Sequence, residues 1–412
     1  MTTFNQALQI GISLPPTKHT HTLPLFESYG TILAQDIIAT RSLPSFNNSA
    51  MDGYAIRMQD YGTHCICDGS ILAGVNSSAF ALAQGHTYKV MTGSMLPQNT
   101  QAVVQIEWVQ EDESGVYIPA LNCNQNLIQG QNIRFKGEEI AQDSLLLQRG
   151  KRLNHLDLSV IASQGISEVQ SFVPLRIGIY SSGDEVIEPN QSAKAHQIYN
   201  TNATSLYTLL KQRGYECSYE GILQDDKKAL CEAIEQFNKY DVIITSGGAS
   251  VGDADLIKEV LQMQGAKMLF DGINVKPGRH LGFATLGKTL IILLPGNPLA
   301  LLLHLHTLIL SILESLQGGS AFYPQSFSLK LNEALKLKAN TTSIILGRCE
   351  NETFIPHNGG KIGSSSLTNM WKNNAIALFD NVQCLPKGAP IKVISYNADF
   401  CDIIDFINYE IL

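Results

Sequence analysis

Short apolar runs alternate with longer amphipathic stretches from residue 174 onward. The runs at 175–180, 241–245 and 289–294 predict buried strands, because each is largely apolar and ends at serine, glycine or proline. The intervening helices are predicted at 202–214, 226–239 and 253–264. Strands that alternate with helices of this length are typical of a parallel sheet with helices on both faces.

Turn residues and short strands dominate on either side of this α/β region. Residues 41–145 predict a mainly β unit, and residues 151–170 predict one helix that ends at Gly165. Past a hinge near 315–325, four short apolar runs separated by turns predict a small β-barrel or sandwich. Those runs lie at 327–331, 342–346, 375–379 and 390–394.

Composition and charge exclude several classes of protein. Hydrophobic residues make up 44% of the 412 residues and charged residues 16%, which excludes a disordered chain. The net charge of −8 argues against nucleic-acid binding, so any anionic ligand must be held by local groups. The apolar stretch at 299–313 is shorter than a membrane span of roughly 20 residues and predicts a buried helix. With no signal-peptide pattern and eight dispersed cysteines, a cytoplasmic location without membrane contact is expected.

The ends of the three predicted strands share small residues, glycines and acids, at 181–185, 245–255 and 294–298. In an open parallel sheet, ligands bind beyond the carboxyl ends of the strands. Glycines allow backbone N–H groups to approach a ligand, and the helix N-termini that follow attract phosphate. Turn residues at one strand end are routine, but three such loops on one edge predict a pocket of phosphate or pterin size.

Acidic residues in or near these loops suggest a divalent cation. The candidates are Glu185, Asp225, Asp226, Asp253 and Asp255. Carboxylates repel a nearby phosphate unless a cation lies between them, and Mg²⁺ is commonly held by one or two carboxylates together with substrate phosphates. Asp226 and Asp253 can equally be helix N-caps, which makes Glu185 and Asp255 the stronger candidates.

Three further segments carry candidate chemistry. Residues 282–289 match the P-loop pattern but run directly into a strand, so a tight turn between two strands is predicted instead. The turn at 276–279 carries two cations that either hold an anion or lie in solvent. The polar, turn-rich islands at 44–57 and 90–94 make Asp52 a functional candidate.

Taken together, these motifs resemble the molybdopterin molybdenumtransferase family, the bacterial MoeA proteins and the C-terminal domain of gephyrin. The resemblance is specific because all the matching segments occur in the order in which the family has them, across nearly the full length of the chain. The matching segments are Asn48-Ser-Ala-Met-Asp-Gly-Tyr-Ala55, Met91-Thr-Gly93, Asn132-Ile-Arg134, Gly137-Glu-Glu139, Ser182-Gly-Asp-Glu185, Gln197-Ile-Tyr-Asn-Thr-Asn202, Ser246-Gly-Gly-Ala-Ser-Val-Gly-Asp-Ala-Asp255, Lys276-Pro-Gly278 and Leu294-Pro-Gly-Asn-Pro298.

The resemblance implies a homodimer of four-domain subunits. An N-terminal dimerisation domain is expected at 1–40 and 143–172, interrupted by a β-rich inserted domain at 41–142. A molybdopterin-binding α/β domain is expected at 173–320, and a small β-barrel-like domain at 321–412.

The resemblance also implies an enzyme that inserts molybdate into adenylyl-molybdopterin and releases AMP, with Mg²⁺ as cofactor. The catalytic positions carried over are Asp52, Thr92, Glu185, Asp225 and Asp255, the last three as metal ligands. The substrate-binding positions are Ser182, Gly183, Asp184, Ser246, Gly247, Gly248, Ser250, Lys276, Pro295, Gly296, Asn297 and Pro298. In the family, the positions of Asp52 and Thr92 complete the site of the neighbouring subunit, and the adenylyltransferase that supplies the substrate is an expected partner.

This sequence departs from the family pattern at two places that affect anion binding. Gly272 stands where many members have a lysine, and Arg279-His280 replaces a usual Lys-Pro. Two alternative functions remain open at this point. A molybdopterin adenylyltransferase would need only the sheet domain, and a non-enzymatic scaffold of the gephyrin kind would not need clustered acids.

Overall fold

The computed structural model describes residues 1–17, 19–119, 127–247, 254–361, 363 and 366–396, without the side chains of 254 and 255. A six-stranded sheet forms the middle of the chain. Its strands are β1 (Arg176–Ser182), β2 (Glu216–Leu223), β3 (Val242–Ser246), β4 (Lys267–Asp271), β5 (Gly282–Leu286) and β6 (Thr289–Leu294). They lie in the order β2-β1-β3-β6-β5-β4. The first four in this order run parallel, and β5 and β4 continue the sheet antiparallel. The three predicted strands are confirmed as parallel neighbours.

Two apolar cores, one on each face of the sheet, explain why its strands are continuously apolar. Ile244 and Ile292 belong to one core, and their chain neighbours Ile243 and Ile291 belong to the other, as the period of two in a strand requires. The helix Thr201–Gln212 packs on the first face. The helices Lys227–Glu235 and Ala254–Met263 pack on the second face. Helices on both faces are therefore confirmed.

The apolar helical segment after β6 is part of the core. It consists of an α-helix at Pro298–His304, a π-helical turn at Leu305–Ile309 and an α-helix at Leu310–Leu316. In the described part of the chain, this one helix is long and apolar enough to cross a membrane, but 78% of its most apolar stretch is buried inside the fold. The prediction of a buried helix is confirmed.

The hairpin of β5 and β6 settles the P-loop question. The strands pair antiparallel from Gly282 opposite Leu293 to Leu286 opposite Thr289. Gly287 makes the turn with a φ of +58°. The chain enters a strand where a P-loop needs a helix, so the tight turn predicted from sequence is confirmed.

The N-terminal part combines a short helix, Phe4–Ile12, with a two-stranded sheet of Thr20–Pro24 and Glu168–Phe172. The helix predicted within 151–170 with its end at Gly165 is confirmed, although it begins at His155. The helix spans His155–Ser163, Gly165 adopts a φ of +72° just after it, and the chain turns back as a strand. Two small ladders join Ile37–Ile38 to Leu145–Leu147 and Asn48–Ser49 to Ile133–Arg134.

A second six-stranded sheet lies between these segments. Its strands, in spatial order, are Ala102–Gln105, Gly53–Ile56, His86–Val90, His64–Ile71, Gly115–Tyr117 and Gln110–Asp112. No α-helix interrupts the described residues of this unit between Gly53 and Tyr117. The prediction of a β-rich unit is confirmed.

The C-terminal strands close into a barrel. In the order of pairing they are Thr342–Glu350, Thr353–Pro356, Phe327–Leu331, Pro390–Ser395 and Ala375–Asp380, which pairs back to the first. The two-residue strand Val275–Lys276 joins this sheet from outside. Smaller elements are the ladders Val186–Ile187 with Ile198–Tyr199 and Leu335–Lys336 with Cys384–Leu385, and the helix Leu367–Trp371. The predicted small β-barrel is confirmed, and with it the multidomain α/β class.

Candidate active site

The loops that follow β1, β3 and β6 meet at the carboxyl edge of the sheet. A Cβ on Gly247 would lie 2.5 Å from the carbonyl oxygen of Ser182, and one on Gly296 would lie 3.3 Å from the Cα of Gly247. Gly247 also has a φ of +97°, which residues with a side chain rarely adopt. These loops need glycine because their backbones touch one another.

A cavity of about 880 Å³ opens where the loops meet. This volume is large enough for a ligand of cofactor size. Of the residues proposed from sequence, those that line it are Ser182, Gly183, Glu185, Asp225, Ser246, Gly247, Pro295, Gly296, Asn297 and Pro298. Leu367, from the short helix beside the barrel, lines the same cavity. The C-terminal unit therefore contributes to the wall of this site.

Other residues proposed from sequence do not line this cavity in the structure as described. Gly248 and Ser250 lie outside the described residues, and so does the side chain of Asp255. Asp184 is exposed beside the cavity and is not among its described lining residues. Lys276 lines a different cavity.

Two carboxylates reach the main cavity from neighbouring strands. Glu185 follows β1 and Asp225 follows β2, and because these strands are parallel both residues lie at the same edge. The Glu185 carboxylate lies beside Gly183, where a Cβ would come within 2.8 Å of Oε2. Asp255 lies in the first turn of the helix after β3, which also starts at this edge.

Within the described ranges, no three histidine, cysteine, aspartate or glutamate side chains form a group that could hold a metal. Two carboxylates nevertheless suit Mg²⁺, which usually keeps several waters and takes its remaining ligands from substrate phosphates. The donor chemistry of Glu185 and Asp225 therefore fits Mg²⁺, and Asp255 as a third ligand stays a prediction.

A hydrogen-bonded segment that sequence reasoning did not select also lines the cavity. The Ser181 hydroxyl donates to Asn200 Oδ1 at 3.0 Å, and Asn200 Nδ2 donates to the Tyr219 hydroxyl at 2.7 Å. Asn202 Nδ2 donates to the carbonyl of Gly296 at 2.8 Å. These bonds join the end of β1 and the loop after β6 to the start of the helix Thr201–Gln212. The sequence signal for this segment was the motif at 197–202. The resemblance to the family included this motif but assigned no role to its residues.

Lys276 belongs to a second cavity, of about 410 Å³, between the sheet domain and the barrel. Lys276 lies at this cavity because the strand Val275–Lys276 pairs with Thr342 and Ser343 of the barrel. Three further lysines line this cavity, Lys336, Lys338 and Lys361. Several ammonium groups around one cavity make a local positive region in a chain with a net charge of −8.

Asp52 and Thr92 form a pair in the β-rich unit. The Thr92 backbone N–H and hydroxyl donate to Asp52 Oδ1 at 2.7 and 2.9 Å. These hydrogen bonds lower the pKa of the Asp52 carboxyl, so it is ionised at neutral pH. The structure brings the two residues together, but neither is among the described residues that line the main cavity of the same chain.

One loop contributes to both cavities, with Lys276 at its start and His280 at its end. His304 holds the middle of this loop, since its Nε2 lies 2.5 Å from the carbonyl oxygen of Gly278. Gly278 has a φ of +97°, and a Cβ there would lie 2.5 Å from the same nitrogen. Because a neutral imidazole can donate from Nε2, this contact requires the proton to be on that nitrogen.

Burial of His304 lowers its pKa from 6.5 to about 4, although the hydrogen bond to Gly278 opposes the shift. The unfolded chain therefore binds a proton here between pH 6.5 and 4 that the folded chain excludes, and stability falls as the pH falls through this range. Between pH 7 and 5 we expect His304 to account for a loss of about 2 kcal/mol. Urea unfolding of the wild type and of His304→Gln at both pH values checks this. The free energy of unfolding should fall less between pH 7 and 5 for the variant than for the wild type. An equal fall in both proteins would contradict the assignment of this loss to His304.

Comparison with known proteins identifies the class. Residues 2–165 match the family model of the MoeA N-terminal region, domains I and II, and residues 178–315 match that of a probable molybdopterin binding domain. A solved MoeA protein of molybdopterin biosynthesis from Pyrococcus horikoshii covers 96% of this chain with a TM-score of 0.81 at 24% identity, which shows the same fold. The chain therefore has the architecture of the MoeA proteins.

Curated relatives define the family more narrowly. The chain is 34% identical over 313 residues to the molybdopterin molybdenumtransferase of Haemophilus influenzae, covering 74% of this chain and 75% of that one. It is 28% identical over 380 residues to the enzyme of the same name from Nostoc, covering 89% and 86%. The chain belongs to the molybdopterin molybdenumtransferase family and is an enzyme of molybdenum cofactor biosynthesis.

Proposed function

We propose that this enzyme inserts molybdate into adenylyl-molybdopterin, releasing AMP and leaving molybdenum on the dithiolene sulfurs of the pterin. The observation that carries the proposal is the convergence of three glycine-bearing loops and two carboxylates on one cavity. A loop shared with the lysine-lined cavity links this site to a second place where an anion can be held. The reaction needs two such places because both of its substrates are anions.

The adenylylated substrate is assigned to the main cavity. The Ser182 hydroxyl is buried and has no hydrogen-bond partner among the described residues, so it is available to a phosphate oxygen. Loops that touch through glycine leave backbone N–H groups accessible to the same ligand. The protein supplies no nucleophile in this scheme, since the dithiolene belongs to the substrate, and its task is positioning and electrostatics.

Molybdate is assigned to the lysine-lined cavity. Lys276, Lys336, Lys338 and Lys361 provide ammonium donors for a tetrahedral oxyanion. None of these four takes part in an ion pair with a described carboxylate. Their charges are therefore available to a small anion that approaches the main cavity along the shared loop.

Mg²⁺ is the proposed cofactor. Glu185 and Asp225, with Asp255 as the expected third ligand, would hold it beside the substrate phosphates. When bound, Mg²⁺ neutralises pyrophosphate charge and stabilises the charge that develops on the departing AMP.

The functional form is proposed to be a homodimer in the cytoplasm, supplied with substrate by the adenylyltransferase of the same biosynthesis. The exposed Asp52–Thr92 pair supports the dimer, because this ionised carboxylate is held in place by two hydrogen bonds and yet is not among the described residues that line the main cavity of its own subunit. In the dimer, the pair would complete the main cavity of the neighbouring subunit.

The proposal is tested by measuring AMP release from adenylyl-molybdopterin with purified protein. We expect release only when both Mg²⁺ and molybdate are present, with AMP quantified by chromatography and molybdenum on the product by elemental analysis. Release without molybdate would indicate a different reaction. No release under any condition, from protein that still binds the substrate, would favour a scaffold.

A further inference from the structure

The main cavity has an unusual charge balance for a site that binds a polyanion. Among its described lining residues, Glu185 and Asp225 are acidic, and His280 is the one side chain that can carry a positive charge. The four lysines lie in the other cavity. A pyrophosphate bound here meets few cationic donors, so His280 has more influence on its binding than a histidine beside several lysines would have.

The backbone around His280 is fixed on both sides. The Gly272 N–H donates to the Leu281 carbonyl at 2.9 Å, and the Ile273 N–H donates to the Arg279 carbonyl at 2.9 Å. Leu281 is fully buried, whereas His280 is only partly buried. Leu281 belongs to the apolar core of the sheet domain, whereas His280 lines the main cavity.

The loop before His280 is also fixed, because Gly278 packs against the buried imidazole of His304. No hydrogen bond or ion pair ties the ring of His280 to another described side chain, so its nitrogens are available to a ligand.

We propose that His280 is a substrate-binding residue of this enzyme that donates a hydrogen bond from its imidazole to a phosphate oxygen of the bound substrate. The inference rests on the proposed function, because it requires the ligand of the main cavity to carry a pyrophosphate. It adds a phosphate contact next to β5. In the order of the sheet, β5 is separated by β3 and β6 from the carboxylate-bearing ends of β1 and β2.

The test compares the wild type with His280→Ala and His280→Pro by calorimetric titration of Mg²⁺-pyrophosphate, AMP and adenosine. We expect both variants to bind pyrophosphate at least 5-fold more weakly and to bind adenosine as the wild type does. A matching loss for AMP would assign the contact to the nucleotide phosphate, and a loss for pyrophosphate alone would assign it to the other phosphate. His155→Ala, which alters an exposed histidine at the start of the helix His155–Ser163, is the matched control.

The proposal would be overturned if both variants bound pyrophosphate and AMP as tightly as the wild type does. It would also be overturned if the wild type bound neither ligand. The proposed function is judged separately, by molybdate-dependent AMP release from the wild type. If release occurs and the variants bind both probes normally, only the role of His280 fails. If the variants bind more weakly but the wild type releases no AMP, the phosphate contact stands and the reaction does not.

Discussion

Replacing Glu185 with glutamine is expected to lower molybdate-dependent AMP release at least 100-fold while the protein stays folded. Glutamine keeps the shape of the side chain but removes the charge that a divalent cation requires. The carboxylate is exposed at the cavity and lies beside Gly183, so no core packing depends on it. Asp225→Asn should act in the same way. AMP release and direct titration with Mg²⁺ are the two measurements.

The control for this prediction is Glu232→Gln, which alters a glutamate on the exposed surface of the helix Lys227–Glu235. It should leave AMP release unchanged. Turnover within about 3-fold of the wild type in both Glu185→Gln and Asp225→Asn would remove the proposed metal site. Loss of turnover with normal Mg²⁺ affinity would mean that these residues serve the reaction in another way.

The same variant tests the dimer. Glu185 and Asp52 belong to different parts of the chain, and in the proposed dimer each site combines Glu185 of one subunit with Asp52 of the other. Mixing inactive Glu185→Gln with inactive Asp52→Asn, after dissociation and reassociation, should restore part of the activity, because a mixed dimer contains one site with both residues intact. No recovery from mixed dimers of demonstrated composition would place both residues in a single-subunit site.

The carboxyl edge of the sheet could be predicted from sequence because its physical basis is local. Continuous apolar runs identify strands buried on both faces, and the glycines and serines after them mark loops that must approach one another. The parallel arrangement then brings those loops to one edge whatever their distance in sequence. The contact between Gly247 and Ser182 is an example, since it follows from the pairing of β1 with β3.

What sequence reasoning could not predict depends on how separate units dock. The sequence makes Lys276 a substrate-binding candidate but does not show which cavity it lines. That depends on the pairing of its strand with the barrel, which places it in a cavity apart from the three loops. The edge strand β2 lacks the continuous apolar run that identifies the central strands, because the polar residues Glu216, Ser218 and Glu220 interrupt it. The sequence marks His280 only as a departure from the family pattern. Its position in the main cavity depends on the hydrogen bonds of its loop with residues near Gly272.

Removing the Arg152 side chain is expected to destabilise the protein by about 3 kcal/mol. Arg152 comes from the N-terminal part of the chain and makes a bidentate ion pair with Glu314, with Nε at 2.9 Å from Oε1 and Nη2 at 2.5 Å from Oε2. It also donates to the carbonyls of Gly30 and Arg213. The side chains of Arg152 and Glu314 are only 25% and 17% exposed, so Arg152→Ala leaves a largely buried carboxylate without its partner.

Urea unfolding of Arg152→Ala measures this effect, and Arg176→Ala is the matched control. The pair of Arg176 with Asp241 spans 3.4 Å, and its side chains are 52% and 40% exposed, so its loss should cost less than about 1 kcal/mol. Replacing both partners, as Arg152→Met with Glu314→Leu, should recover part of the loss because no charge is then left buried. An Arg152→Ala variant as stable as Arg176→Ala would show that the hydrogen bonds of Arg152 contribute little to holding the N-terminal part on the sheet domain.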